Sequence, residues 1–411
     1  MHKLRWPICL VSALLVCFTH PLKAQTVLTP VSQLSQGAGC FSLRCFIWIG
    51  SFEDATAVTV NTGGGVAIHT PSNGDIWNVQ QVITNPDYPD PPSPYSIVHF
   101  GPPAFKGQSL LIGGTSPRYS FKDVVYVYAP INGRWTHLQT LALQRPADYD
   151  RTHIAKIATD GTTAIVSGTR VKDAIDEEAF TQVDTYLRNT NGTFSRRGGF
   201  KPPIPADRLW SSSIEVDGNV IVISDPGADN ESGRVHVYGY DVGRGWRLRV
   251  TLAAAQWQAG ARFGEHIALD GNTIVIAAPA ETDPRPEFTG AVYIYQGSGK
   301  TWPLQQKLRA ITDPKVMGYQ FGNGVDVSGE RIVVGKYIND FSGSIPTHAY
   351  IYERRASWVP VAELVDMQEG IFNVDVHLSG DIAIASGTDW SYGRPNFVFD
   401  LPALGTLPAV E

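Results

Sequence analysis

The chain has 411 residues, of which 33 are Lys or Arg and 39 are Asp or Glu, so its formal net charge is −6. The sequence contains no basic block. This argues against nucleic acid as the main partner, because neutralising phosphates requires clustered Lys and Arg.

The first 24 residues have the pattern of an export signal. Lys3 and Arg5 form a basic start, residues 6–18 are apolar, and Leu22-Lys23-Ala24 precedes Gln25 as a cleavage site. The apolar segment is shorter than the roughly 20 residues that span a bilayer. A signal that stays attached as an anchor is the alternative. We expect a mature protein that begins near Gln25, has no membrane span, and is secreted, periplasmic or at the cell surface.

Two cysteines remain after this signal, Cys40 and Cys45. In an exported protein we expect a disulfide between them, which closes a short loop. Its contribution to stability is small, because a short loop removes little entropy from the unfolded chain. No matching Cys/His pair accompanies them, so we expect no zinc site.

Four short strands are predicted between residues 263 and 308. Residues 267–269 and 273–277 flank Asp270-Gly271, a hairpin signal, because glycine tolerates positive φ. A third strand covers residues 290–295, and a fourth covers residues 302–308. Four antiparallel strands in about 50 residues are typical of one blade of a β-propeller.

This pattern returns along nearly the whole mature chain, which identifies it as a repeat. The third strand recurs at residues 66–69, 125–128, 183–186, 235–238, 292–295, 349–352 and 396–399. The hairpin glycine recurs at Gly107, Gly161, Gly218, Gly271, Gly329 and Gly380. The fourth-strand aromatic residue recurs at Trp77, Trp135, Phe194, Trp246, Trp302 and Trp358. The sequence therefore predicts an all-β fold, a seven-bladed β-propeller of four-stranded antiparallel blades.

Two features indicate how the blades pack and how the ring closes. The last copy stops after its third strand, and residues 26–34 can supply the missing one. Pairing this N-terminal strand with the final blade closes the ring and covers two unpaired edges. We therefore predict a single domain over residues 25–411. Rings that we interpret as packing wedges stand eight residues before the hairpin glycine, at His99, His153, Trp210, Phe263, Phe321 and Phe372.

The fifth copy contains Phe263-Gly264, Asp270-Gly271-Asn272-Thr273, Ala278-Pro279 and Gly290-Ala291-Val292-Tyr293. It resembles the FG-GAP repeat of exported bacterial proteins and of the propeller of integrin alpha chains. The resemblance implies the propeller fold and is weak evidence for function. Integrin blades that bind calcium carry an Asp-x-Asp-x-Asp-Gly loop, whose oxygens suit a hard cation. That string is absent here, so we expect no metal and no cofactor, with calcium as the alternative.

In a propeller, the connections between second and third strands and between consecutive blades emerge on one face, here called the loop face. Its longest predicted connections are residues 86–95 and 168–181. Aromatic rings beside arginine suit a sugar or a protein epitope, because rings stack and a guanidinium fixes orientation. The candidate ligand-binding residues there are Arg118, Tyr119, Tyr149, Arg208, Trp257, Arg285, Trp390, Tyr392 and Arg394.

Two classes of function fit these observations. The favoured one is an exported recognition or adhesion module, a monomer that binds a glycan or an extracellular protein through its loop face. The alternative is a carbohydrate-active enzyme, a polysaccharide lyase or hydrolase, with its site at the channel mouth. In that enzyme, His153 would act as the base beside Asp150 and Arg151. One His near one Asp is common by chance, so recognition is preferred.

Overall fold

The structure is a computed structural model. It describes residues 26–28, 32–34, 47–61, 66–72, 76–83, 85–87, 103–119, 122–143, 151–171, 179–282, 288–309, 319–338, 348–365, 375–386 and 396–406. The predicted signal peptide and the Cys40–Cys45 disulfide lie outside these residues and stay predictions. So do the predicted wedges at His99 and Phe372.

The chain starts with two short strands and then forms the first three blades. The N-terminal strands are β1 (Thr26–Leu28) and β2 (Ser32–Gln33). Blade 1 contains β3 (Ile47–Glu53), β4 (Thr56–Asn61), β5 (Val66–Ser72) and β6 (Ile76–Ile83). Blade 2 contains β7 (Pro103–Lys106), β8 (Ser109–Ser116), β9 (Lys122–Ile131) and β10 (Arg134–Ala142). Blade 3 contains β11 (Arg151–Thr159), β12 (Thr163–Val171), β13 (Ala179–Arg188) and β14 (Phe194–Phe200).

The remaining four blades repeat this arrangement. Blade 4 contains β15 (Ile214–Asp217), β16 (Val220–Asp225), β17 (Arg234–Asp241) and β18 (Gly245–Leu252). Blade 5 contains β19 (Ile267–Asp270), β20 (Thr273–Thr282), β21 (Phe288–Gln296) and β22 (Leu304–Leu308). Blade 6 contains β23 (Tyr319–Ser328), β24 (Arg331–Ile338), β25 (His348–Arg354) and β26 (Trp358–Val365). Blade 7 contains β27 (Asp375–Ser379), β28 (Ile382–Ser386) and β29 (Asn396–Asp400).

The protein is all-β, with seven antiparallel blades in a ring. Within each blade the strands pair in chain order, and β27 of the last blade contacts β3 of the first. A short parallel pairing of β21 with β23 also links blades 5 and 6. In the described connections, short 3-10 turns lie at Pro117–Tyr119 and Leu209–Ser211, and a left-handed turn lies at Ala228–Glu231. No helix in the described part of the chain is long and apolar enough to cross a membrane.

Each predicted third strand forms as expected, and so do the inner hairpins between first and second strands. The six predicted hairpin glycines all have positive φ, between 55° and 88°. Blade 1 has no glycine there, and Asp54 and Ala55 adopt φ of 45° and 54° instead. The left-handed turn is therefore a property of the fold at this position, which glycine satisfies with the least strain.

Hydrogen bonds join the inner hairpins from blade to blade. In blades 3 to 6, the side chain of the residue before the hairpin glycine accepts a hydrogen bond from the N–H of the next blade's hairpin glycine. The pairs are Asp160–Gly218 (2.7 Å), Asp217–Gly271 (2.6 Å), Asp270–Gly329 (2.5 Å) and Ser328–Gly380 (3.2 Å). Ser379 accepts in the same way from Asp54 of blade 1, at 3.0 Å. The bond from Asp54 to Ser379 joins the last blade to the first.

Two other contacts complete this circle, which we call the hairpin ring. Lys106 of blade 2 forms an ion pair with Glu53 of blade 1 at 2.7 Å. Ser109 of blade 2 donates a hydrogen bond to the carbonyl of Gly161 in blade 3, at 3.1 Å. Every blade is thus tied to both neighbours at the same end of the central channel.

A second set of inter-blade bonds comes from a fourth-strand glutamine, four residues after the repeat tryptophan. Its amide donates to the backbone carbonyl, and its oxygen accepts from the N–H, of the aromatic residue in the next blade. The pairs are Gln81–Trp135 (2.8 and 2.8 Å), Gln139–Phe194 (3.0 and 2.7 Å) and Gln306–Trp358 (2.8 and 2.8 Å). The glutamine of the repeat therefore connects neighbouring blades at their outer strands.

The Phe-Gly motif packs against the third-strand glycine of the preceding blade. Phe263 and Phe321 are fully buried, as expected for packing wedges. Gly233 (φ 91°) and Gly290 (φ 100°) face them so closely that a Cβ would lie 2.1 Å from the carbonyl oxygen of Phe263 and of Phe321 respectively. Only glycine permits this approach, which explains why the two motifs occur together.

Three sequence expectations need correction or remain open. His153 is not a buried wedge, because 46% of its side chain is exposed. The predicted loop 168–181 is shorter, since β12 extends to Val171 and β13 begins at Ala179. Of residues 26–34, β2 pairs with β29 in blade 7, whereas β1 pairs in parallel with β26 of blade 6. That the ring depends on this segment for closure stays a prediction.

We expect Gln306→Leu to lower the free energy of unfolding by about 1–3 kcal/mol, because the N–H and carbonyl of Trp358 lose their partners. Gln305 is exposed, and its side chain bonds only to the nearby carbonyl of Pro303. Gln305→Leu is therefore a matched control, with a change of about 0.5 kcal/mol or less. Denaturant titration of both variants measures the difference. Equal losses would show that the inter-blade bond contributes nothing.

Candidate functional site

The described part of the loop face lies mainly over blades 3 to 5. Three segments form it: residues 201–213 between blades 3 and 4, residues 226–233 within blade 4, and residues 253–266 between blades 4 and 5. Each segment contains either a candidate ligand-binding residue or residues that bond to the other two segments. The bonds between these three segments determine how rigidly the face presents its side chains.

Arg208 joins the first segment to the second. Its guanidinium lies 3.0 Å from the buried carboxylate of Asp225 and donates to the carbonyl of Gly227, also at 3.0 Å. Burial raises the pKa of Asp225, and the nearby Arg208 opposes this effect. One third of the Arg208 side chain stays exposed. Arg208 is therefore mainly a clamp between two connections, with one edge available to a ligand.

The second segment holds a left-handed turn in which φ is 53° at Asp229, 56° at Asn230 and 60° at Glu231. Each such residue costs about 1–2 kcal/mol when it is not glycine. Backbone bonds to the third segment offset this cost, from Gly260 N–H to the Asn230 carbonyl (3.0 Å) and from Arg262 N–H to the Glu231 carbonyl (2.7 Å). The turn thus fixes the path of the connection between blades 4 and 5.

Trp257 lies at the tip of that connection, and it is 63% exposed. The next residue, Gln258, accepts a bond from the backbone N–H of Thr282 in blade 5 at 2.9 Å. Arg262 further along forms an ion pair with Glu265 at 2.7 Å. An exposed indole is therefore held by blade 4 on one side and by blade 5 on the other.

Arg118 and Tyr119 lie on the loop face of blade 2, and both are exposed. Arg118 forms an ion pair with Asp87 at 3.0 Å. The buried Asp87 carboxylate also accepts hydrogen bonds from Ser116 and from Tyr126, the latter at 2.8 Å. Asp87 thus anchors the chain after β6 onto blade 2, and Arg118 covers this anchor.

The structure describes only part of the candidate catalytic group, which consists of His153, Asp150 and Arg151. His153 lies 3.8 Å from the carboxylate of Asp123, a residue that the sequence reasoning did not consider. Asp123 already accepts bonds from Ile154 N–H (2.9 Å) and from Thr115 (3.2 Å). Arg151 begins β11, but its side chain lies outside the description. Asp150, Tyr149, Arg285, Trp390, Tyr392 and Arg394 also lie outside the described residues.

The central channel contains a cavity of about 460 Å³ that the first strands of all seven blades line. Seven carboxylates and two lysines, Lys106 and Lys156, line it among the described residues. Its walls therefore carry an excess of negative charge when the carboxylates are ionised. Low-dielectric walls of one sign of charge focus the field and raise the local concentration of counter-ions.

Glu215, Asp326 and His377 each precede the hairpin glycine of their blade by three residues, and we call them the middle layer. The flanking residues on each strand are buried, while these three are partly exposed, as strand alternation requires of side chains that face the channel. Blades 2, 3 and 5 place alanine at the same position. These three small side chains, one of which lies between Glu215 and Asp326 in the order of the blades, leave room beside the three polar ones.

The two acids of the middle layer are held in a weakly polar setting. Burial and, to a smaller extent, the charge of Asp326 raise the pKa of Glu215 to about 8, although Lys106 and Lys156 oppose the shift. Burial also raises the pKa of Asp326 to about 6, although His377 and the N–H groups of Leu378 and Val327 oppose the shift. Both carboxylates therefore resist ionisation more than a surface acid does, because little in the channel compensates their charge.

The repeat contained a signal for the middle layer that the sequence analysis did not use. Counting three residues back from each hairpin glycine gives Glu215, Asp326 and His377 directly. Among the residues that the structure describes, no three His, Cys, Asp or Glu side chains are arranged to bind a metal ion. The hairpin carboxylates instead bond to the next blade, as the hairpin ring shows.

Fold and repeat together define a class of protein, the seven-bladed β-propeller built from one sequence repeat. Residues 246–295, from the fourth strand of blade 4 to the third strand of blade 5, match the family model described as FG-GAP repeat. The chain is therefore an FG-GAP repeat β-propeller. A comparison with curated proteins gave no match.

Solved structures of peptidases share the fold. The acylaminoacyl peptidase in complex with Z-Gly-Gly-Phe-chloromethyl ketone superposes with a TM-score of 0.52 at 12% identity, over 89% of this chain and 52% of that chain. The acylaminoacyl peptidase of Pyrococcus horikoshii gives a TM-score of 0.53 at 11% identity, over 90% and 53%. This chain spans about half the length of these proteins. At such identity the likeness concerns the fold alone.

We expect Glu215→Gln to stabilise the protein at alkaline pH. Because the folded pKa of about 8 exceeds the ordinary value of 4.5, the folded state keeps this proton longer, and the free energy of unfolding falls as pH rises from about 4.5 to about 8. At pH 9 the variant should exceed the wild type by about 2 kcal/mol, since channel water screens part of the effect.

At pH 4.5 the two proteins should be equally stable, because Glu215 is then protonated in the fold. Denaturant titration at both pH values measures this. Glu330→Gln, which changes an exposed hairpin residue, serves as the control. A gain of the same size at both pH values would contradict the assignment.

Proposed function

We propose that this chain is an exported recognition module that binds a glycan or a protein partner through the loop face over blades 4 and 5. Trp257 carries the proposal. An indole that is 63% exposed leaves a large apolar surface in water, and tryptophan is among the residues that dominate binding energy at interfaces.

The support of Trp257 favours recognition over chance exposure. The left-handed turn of blade 4 and the bond between Gln258 and Thr282 hold its connection at both ends. A fixed platform lowers the entropy that binding must overcome. A loop with no function would not need three left-handed residues to define its path.

The polar groups near this platform favour a glycan as the ligand. Asp229 pairs with Arg234, and Arg262 pairs with Glu265, and all four side chains are partly exposed. Their donors and acceptors suit sugar hydroxyl groups, while the indole offers a flat surface for the apolar face of a sugar ring. A protein ligand is the second outcome that a binding screen must distinguish.

Binding to a glycan array by the purified 25–411 fragment tests this function. We expect Trp257→Ala to weaken binding of the best glycan roughly tenfold or more, because losing a central aromatic contact typically costs more than 1 kcal/mol. Val242, which is 94% exposed in the turn between β17 and β18 on the opposite face, supplies the matched control. Val242→Ala should bind like the wild type.

Equal binding by both variants, at unchanged melting temperature, would remove Trp257 from the site. If no glycan binds while a protein partner does, the same pair of variants tests the protein interface. If neither class of ligand binds, the recognition function fails.

The enzymatic alternative has less support. His153 is not among the residues that line the channel cavity, and its ring is too far from Asp123 for a hydrogen bond. We expect His153→Ala to bind glycans within twofold of the wild type, and neither protein to depolymerise polysaccharides in a reducing-end assay. Turnover by the wild type that His153→Ala abolishes, with folding intact, would reverse this assignment.

A further inference from the structure

The channel offers a binding site that is separate from the loop face. We propose that the channel binds a linear polyamine, with a primary ammonium group among Glu215, Asp326 and His377 of the middle layer. This inference goes beyond the proposed recognition function and does not depend on it.

The middle layer supplies acceptors that lack donors. Among the described residues, no donor forms a hydrogen bond or ion pair with the Glu215 carboxylate, on which the charges of Lys106 and Lys156 act only from a distance, and no partner reaches the buried Nε2 atom of His377. Asp326 accepts only backbone bonds, from Leu378 N–H and from its neighbour Val327 N–H, both at 2.8 Å. A primary ammonium carries three donors and no acceptor. It therefore complements the carboxylates of Glu215 and Asp326.

The charge of the channel favours a ligand with more than one positive charge. Two rings of polar side chains lie along its length: the middle layer, with the acids Glu215 and Asp326, and the hairpin carboxylates Asp160, Asp217 and Asp270. They are two residues apart on each strand, which is about 6.6 Å at 3.3 Å per residue. A linear polyamine distributes ammonium groups along a flexible chain, so it can meet both rings at once.

Other charged groups face the same space. Lys106 forms an ion pair with Glu53 at the hairpin end, and its charge also acts on Asp326. Lys156 lines the channel with His266 and Asp375 toward the loop face, and its charge acts on Glu215. Burial lowers the pKa of His266, so this ring stays neutral near pH 7. Carboxylates still outnumber lysines by seven to two in the described lining. A metal ion is the weaker candidate, because no set of three ligands is in place in the described residues.

Isothermal titration of the full chain with spermidine at pH 7.5 tests the proposal. We expect saturable binding by the wild type and at least tenfold weaker binding by Glu215→Gln/Asp326→Asn, since each removed charge leaves an ammonium unpaired. The control Glu330→Gln/Asp400→Asn removes the same charges from exposed positions outside the channel lining. It should bind within twofold of the wild type. No saturable binding by the wild type, or equal losses in both double variants, overturns the proposal.

Proton release gives a second readout that needs only one substitution. An ammonium beside Glu215 favours its ionised form, and since the pKa of this carboxyl is about 8, binding at pH 7 should release protons. Titration in two buffers of different ionisation enthalpy measures the release. We expect Glu215→Gln to abolish most of it without lowering the melting temperature. Binding without proton release would place the ligand elsewhere. Trp257→Ala should bind spermidine normally, which separates this site from the loop face.

Discussion

The hairpin ring is the contact on which the rest of the molecule depends. In a propeller each blade meets only its two neighbours, so stability is a sum over interfaces. Here a side chain of blades 2 to 7 bonds to the backbone of the next blade, as in Asp160 to Gly218 and Ser379 to Asp54, and an ion pair joins blade 1 to blade 2. Because the last bond returns to blade 1, the bonds form a closed circle in which each blade is joined to both of its neighbours.

In this circle the hairpin acids Asp160, Asp217 and Asp270 each accept a hydrogen bond from the backbone of the next blade. The turn residues that would complete a calcium-binding loop with these acids are absent from the sequence. The outer glutamines and the Phe-Gly motif also join neighbouring blades, farther from the channel axis, as the bond between Gln306 and Trp358 shows. Most of the repeat is thus engaged in holding blades together, which leaves function to positions where copies differ.

The copies of the repeat differ at two places, the loop face and the channel. On the loop face, blade 4 adopts a left-handed turn at residues 229–231 and supports the exposed Trp257. In the channel, three blades carry Glu215, Asp326 and His377 where three others carry alanine. The sequence pointed to Trp257 from its loop position alone. It did not identify the middle layer, because a single acid in a strand is not a functional signal by itself. Only the assembled ring places Glu215, Asp326 and His377 of three different blades along one channel.

The sequence by itself determined the number of blades, the strands within each and the turn at each hairpin, because local periodicity and glycine placement depend only on residues near each other in the chain. It also identified Phe263 and Phe321 as packing residues, which the structure confirms. It misjudged His153, which occupies the wedge position but faces solvent. Only the tertiary structure decided that Asp123 lies near His153, that Gln306 bonds to Trp358 and that acids converge in the channel. These contacts join residues that are 30 or more positions apart or on different blades, and closure of the ring, not local sequence, sets their distances.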